Sequence, residues 1–241
     1  MESLRVADSF RVRLHAGVAQ ARSLGAHLTR FGDAARMAGV SRQMLDEFLT
    51  MSRARIAAAG DGFPRLEVWQ EDHCAPELRL SLRPLPELGD SLALKTAPDV
   101  MLDDASVKGP NLARLTVLNE QLGAEALLLR DGAVAEGATT ALLWWEGETW
   151  EGETLCTSTV TERVRSVTEA YLLDAARQYG VSVAARTVPS AALHNHEVWA
   201  VNALHGIRAV TTIDGRALPA ASARLQRFRD ILDRSWEPVL G

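Results

Sequence analysis

Apolar positions in the first residues fall in partial alternation. Leu4, Val6, Phe10, Val12 and Leu14 predict strand over 4–14. His15-Ala16-Gly17 reads as a turn, and residues 18–24 as the return strand. The period then changes. Leu28, Phe31, Ala35 and Ala38 recur three or four apart, which predicts a helix over 26–38 ended by Gly39. Ser41 reads as the N-cap of a second helix reaching Ala59, with Leu45, Phe48, Leu49 and Ile56 as its buried stripe. Gly60-Asp61-Gly62 breaks it, and strands over 64–70 and 77–83 follow. Pro84, Pro86, Gly89 and Pro98 then crowd a stretch that reads as a linker.

Beyond the linker, Gly109-Pro110 opens a helix over 109–122. Asp131-Gly132 is a hairpin turn signal between strands over 125–130 and 133–136. Strand over 141–145, helix over 164–179 closed by Gly180, and strand over 181–186 come next. A short helical turn over 192–196 leads to strands over 198–201 and 207–213, the Asp214-Gly215 turn, and a terminal helix over 221–236. This order describes an α/β (α+β) chain in two lobes: a smaller N-terminal lobe, residues 1–90, and a larger C-terminal lobe, residues 91–241.

Composition narrows the function. The chain has 241 residues, 47% of them hydrophobic, enough for a core without staples. A net charge of −5 argues against a nucleic-acid binder. Cys74 and Cys156 form no CxxC pair, so neither a zinc site nor a disulfide framework is expected. His194-Asn195-His196 lacks a third ligand, so no metal is expected. Met1-Glu2-Ser3-Leu4-Arg5 is no signal peptide, and no run approaches the ~18 apolar residues of a membrane span, which makes the cytoplasm the default. No Gly-x-Gly-x-x-Gly or P-loop string is present. Trp144-Trp145, with Trp150, reads as core packing or a dimer contact, one of the adjacent pair buried and the other exposed.

One count changes the picture. The only lysines are Lys95 and Lys108. Any chemistry that needs a lysine amine must use one of them, since a guanidinium is not a useful nucleophile. Pyridoxal phosphate (PLP) chemistry sets three demands: a lysine for the aldehyde, a carboxylate for the pyridine nitrogen, and donors for the phosphate. Lys108, before Gly109-Pro110, can supply the first and Glu136, at a strand end, the second. Ser166-Val167-Thr168 near a helix start, with Arg30 on the first helix, can supply the third. Singly, each is an ordinary surface charge, strand-end acid or helix cap.

Their order carries more. Val107-Lys108-Gly109-Pro110-Asn111 resembles the catalytic lysine segment of the class IV aminotransferases, the family of branched-chain and D-amino acid aminotransferases and 4-amino-4-deoxychorismate lyases. The run from Ala124 to Gly137 resembles the hairpin ending in that family's glutamate, here Glu136. Leu155-Cys156-Thr157 and Ser166-Val167-Thr168 resemble its phosphate-binding turn. Asn202-Ala203-Leu204-His205-Gly206-Ile207, then Val210 and Asp214-Gly215, resemble the segment completing the phosphate cup. Asp8-Ser9-Phe10-Arg11-Val12 and His27-Leu28-Thr29-Arg30-Phe31 resemble its first strand and phosphate arginine. Three departures stand out: only nine residues precede Phe10, Glu169 replaces an arginine, and Ala203 replaces a serine or threonine.

The resemblance implies a class IV aminotransferase-like fold, a homodimer, and PLP on Lys108. Glu136 would face the pyridine nitrogen. Arg30 with the Ser166, Val167, Thr168 and Ala203 segments would hold the phosphate. The implied activity is amino-group transfer between an amino acid and a keto acid. Asn202-Ala203-Leu204 keeps open a lyase forming 4-aminobenzoate and pyruvate. The departures keep open a catalytically silent relative acting as a binding or structural dimer.

Overall fold

A computed structural model describes residues 2–147 and 152–240. Trp150 lies outside them. The chain forms two compact units. One gathers Met1–Leu88, Val107–Pro110 and Asp233–Gly241; the other comprises Gly89–Ser106 and Asn111–Leu232.

The first unit holds two small antiparallel sheets. Strands β1 (Ser3–Ser9), β4 (Arg65–Gln70) and β5 (Glu77–Ser81) form one, in the order β1-β4-β5. Strands β2 (Val12–His15), β3 (Val18–Arg22) and β15 (Trp236–Pro238) form the other, in the order β15-β3-β2. The single strand predicted over 4–14 therefore divides at Phe10-Arg11, and its halves join different sheets. Phe10 is buried at the break, its ring 5.4 Å from that of His27. Ala16 and Gly17 both take positive φ, the backbone a two-residue hairpin turn requires.

Helices α1 (Leu24–Met37) and α2 (Arg42–Ala59) follow the predicted bounds within two residues. The Ser41 hydroxyl caps α2 by accepting from the Met44 amide at 3.3 Å. The terminal helix stops at Leu232, four residues early. A 3₁₀ turn over Asp233–Ser235 then turns the chain into β15, which pairs with β3. Aromatic stacking fixes this end. The Trp236 ring carries the guanidinium carbons of Arg13 and Arg22 at 4.2 and 4.5 Å, and Arg22 meets Asp233 at 2.5 Å.

The second unit is a nine-stranded mixed sheet. Its strands are β6 (Ser91–Thr96), β7 (Glu125–Arg130), β8 (Ala133–Gly137), β9 (Ala141–Glu146), β10 (Thr154–Ser158), β11 (Ser182–Arg186), β12 (Val198–Asn202), β13 (Gly206–Ile213) and β14 (Arg216–Ala217). Their order is β11-β10-β9-β12-β13-β6-β7-β8, with β14 on β13. The sheet curls until its edges meet. The Val134 amide of β8 donates to the Val188 carbonyl just past β11 at 2.8 Å, and the Ser158 hydroxyl donates to the Val134 carbonyl at 2.5 Å. Helices α3 (Leu112–Leu122), α4 (Val167–Gln178) and α5 (Ala223–Leu232) complete the unit.

Two of the unit's hydrophobic clusters lie on opposite sides of the same strands. Leu143, Trp145, Leu155, Trp199 and Val201 pack with Leu172 of α4 and Leu225, Phe228 and Ile231 of α5. Leu142, Trp144, Cys156, Val198, Ala200 and Val210 fill the other side of the same strands. Trp144 and Trp145 are thus both buried, at 0% and 3% exposure, and the expectation of one exposed partner fails. A strand covered on both faces buries every residue and loses its visible alternation.

Candidate active site

In the first unit the site residues surround β1. Lys108 is half-buried on the 107–110 segment, and its carbonyl accepts the Ala7 amide of β1 at 2.6 Å. Gly109 lies against the same strand with φ +142°. A Cβ there would stand 2.7 Å from the Ala7 nitrogen and 2.8 Å from the Val6 carbonyl carbon, so only glycine fits. That approach also explains why α3 begins at Leu112 rather than 109: residue 109 is spent on the contact with β1.

Next to Ala7 on β1, Asp8 is 1% exposed and is met by His27 and Arg30. His27 Nδ1 lies 2.8 Å from its carboxylate, and Arg30 donates to it from Nε and Nη2 at 2.8 and 2.9 Å. Burial alone would raise the Asp8 pKa. The adjacent Arg30 and His27 outweigh it and hold the carboxyl well below the usual range. Arg30 and Lys108 are therefore both fixed by consecutive parts of β1.

The second unit carries the remaining candidates. Glu136 is buried on β8, and the Val164 amide donates to its Oε1 at 3.4 Å. Ser166 caps α4, its hydroxyl accepting from the Glu169 amide at 3.2 Å. The Val167 and Thr168 amides, at the first two helical positions, have no partner within the helix. The amino end of α4 and Glu136 are thus brought together by the 160–166 loop. Ala203 sits at the tip of the β12–β13 turn. The Asn202 side chain holds that turn by accepting from the Leu204 and His205 amides at 3.1 and 2.9 Å.

One residue of the second unit, Arg163, was not singled out by the sequence. Arg163 reaches Glu169 with both terminal nitrogens, at 2.7 and 2.8 Å. Thr157 also donates to Glu169, so the acid that departs from the family pattern is fully engaged. Burial would lower the Arg163 pKa, but hydrogen bonds and charge from Glu169, with Glu136 adding, raise it. The other lysine, Lys95, also lies in this unit. Its amine donates to the Leu122 carbonyl at 2.7 Å, capping the last turn of α3. No group of three or more His, Cys, Asp or Glu side chains able to hold a metal ion occurs among the described residues.

The sequence matches the family described as amino-transferase class IV over residues 5–213. The chain belongs to the class IV aminotransferases. It is accordingly an enzyme of a PLP-dependent family whose substrates are amino and keto acids. Solved structures agree on the fold. A hypothetical aminotransferase from Mycobacterium tuberculosis in its PLP-bound form superposes with TM-score 0.78 at 22% identity, over 97% of this chain and 88% of that one. The branched-chain amino acid aminotransferase of Escherichia coli gives 0.80 at 14%, over 98% and 90%. A putative 4-amino-4-deoxychorismate lyase from Legionella pneumophila gives 0.78 at 18%, over 95% and 90%. No curated protein matches the sequence. Among the described residues, no helix of this class IV chain is long and apolar enough to cross a membrane.

Proposed function

We propose that the protein transfers an amino group between an amino acid and a keto acid, with Lys108 as its reactive amine. One observation carries the reading. Of the two lysines, Lys95 is committed to a helix carbonyl, whereas Lys108 lies on a segment locked to β1 beside a glycine that no other residue can replace.

The donor set fits PLP. Lys108 offers the primary amine its aldehyde needs. Glu136, buried and met by a backbone amide, offers the carboxylate for its ring nitrogen. The Val167 and Thr168 amides, at the positive end of α4, offer donors for its phosphate. Arg30, oriented by Asp8, and the backbone at Ala203 offer further donors of the kind a phosphate takes. When bound, the cofactor supplies an electron sink that acidifies the substrate Cα–H bond. Lys108 would be the base that takes the proton from the substrate Cα. Glu136 holds a proton at the ring nitrogen.

A lyase reading rests on the Asn202-Ala203-Leu204 turn, where Ala203 offers no hydroxyl to a phosphate or substrate. In either case we read the protein as a cytoplasmic homodimer. The test is a visible absorption band on adding PLP to purified protein and to Lys108→Ala. A band in wild type alone supports the assignment; no band in wild type refutes it in favour of a silent relative. Turnover with an amino acid plus a keto acid, against aminodeoxychorismate, then separates transaminase from lyase. Sedimentation tests the dimer.

A further inference from the structure

Glu169 stands in the first turn of α4 at 5% exposure, three residues beyond the Ser166 cap. The spacing is that of a capping box, but only half of the box forms. Ser166 accepts the Glu169 amide, while the Glu169 carboxylate turns to Arg163 and Thr157. A buried carboxylate here, left alone, would oppose any phosphate approaching the Val167 and Thr168 amides. Arg163 removes that opposition with a two-point pair to Glu169, the strong form of guanidinium–carboxylate contact.

The same guanidinium does more than cancel charge. Its Nε donates to the Val160 carbonyl at 3.1 Å, and Nη2 donates to the Thr157 hydroxyl at 3.2 Å. One side chain therefore ties the end of β10, the 160–166 loop and the first turn of α4. The next residue in that loop, Val164, is the one whose amide meets Glu136.

We propose that Arg163 is a positioning residue for the cofactor: it neutralises Glu169 so that the amino end of α4 accepts a phosphate. The chain has an acid where its family places an arginine, and it restores a cation six residues earlier. This rests on the reading of α4 given under Proposed function.

The experiment is a PLP titration of purified wild type, Arg163→Gln, Glu169→Gln and the double variant, followed by the visible band and by tryptophan fluorescence. Arg163→Gln leaves a buried charge uncompensated, so PLP affinity is expected to fall by at least about tenfold. Glu169→Gln removes the charge itself and stays within about threefold of wild type, and the double variant recovers to the same range. Wild-type affinity in Arg163→Gln overturns the proposal. So does a double variant as weak as Arg163→Gln, because a purely structural tie is not rescued by removing the charge. Should Arg163→Gln fail to fold, the double variant decides on the same criterion. A wild type that shows no band with PLP sinks the functional reading and takes this one with it; a wild-type band with an unaffected Arg163→Gln sinks this one alone.

Discussion

Replacing Gly109 with alanine tests how strictly β1 fixes Lys108. The new Cβ would lie 2.7, 2.8 and 2.9 Å from the Ala7 nitrogen, the Val6 carbonyl carbon and the Val6 Cα, all backbone atoms that cannot rotate away. To reach ordinary contact at 3.4 Å the strand and the 107–110 segment must separate by about 0.7 Å. That stretch takes the Ala7–Lys108 hydrogen bond, now 2.6 Å, beyond good geometry, a loss of about 1 kcal/mol. Holding alanine at φ +142° adds roughly 1–3 kcal/mol. At about 2–4 °C per kcal/mol for a chain of this size, Tm falls by roughly 4–16 °C. The shift of Lys108 bears on rate as well. A misplacement near 1 Å can lower turnover by about 100-fold, so kcat is expected to fall by roughly 10- to 100-fold in the fraction that binds PLP. Differential scanning fluorimetry and steady-state transamination read the two effects. A Gly109→Ala protein with unchanged Tm and kcat would refute the claim that β1 positions the lysine.

Other outcomes follow from features already described. Asp8→Asn breaks a buried group of three and should destabilise by about 3–5 kcal/mol at pH 7, read by urea unfolding. Because the Asp8 carboxyl is held below its ordinary value of 3.8, its contribution is full above about pH 4 and is lost as pH falls further. The Tm gap between wild type and Asp8→Asn should therefore narrow from pH 5 to pH 2; a constant gap contradicts the argument. Burial and the neighbouring Glu146 push the Cys156 thiol up to about 12, whereas Cys74 is exposed. A thiol reagent at pH 8 should titrate one cysteine in native protein and two in guanidinium; two in native protein would count against the burial of β10. Phe228 packs within 5.5 Å of the Trp145 and Trp199 rings, so Phe228→Ala should cost about 3–5 kcal/mol by chemical denaturation.

Where one face of an element meets solvent, the sequence announced it. Helices α1 and α2, the β2–β3 hairpin and the Asp131-Gly132 turn between β7 and β8 all carried periodic or turn signals that the structure keeps. Strand β10 did not. Cys156, Leu155 and Thr157 are all buried, so β10 shows no alternation to read. Strand β15 was hidden differently: Trp236 continues the apolar spacing of α5, yet it pairs with β3 and stacks with Arg13 and Arg22. The candidate site followed the same divide. Lys108 stood out because lysine is scarce, and Glu136 because a hairpin placed it. Arg163 offered no such cue, for no period links a loop residue to a helix that starts four positions later. Its partner Glu169 did, as the residue that broke the pattern.

The pairing of β15 with β3 has a consequence for synthesis. Arg22 leaves the ribosome more than two hundred residues before Trp236, its partner across the ladder. At ordinary elongation rates the gap lasts roughly 10–40 s. For that interval the β2–β3 hairpin has an open edge, and Arg13 and Arg22 are without their indole. Those charges are themselves a guard, since a cationic edge resists pairing with the edges of other nascent chains. The last strand made is thus the one that closes the first hairpin made, and the chain waits for it with a surface that repels its own kind.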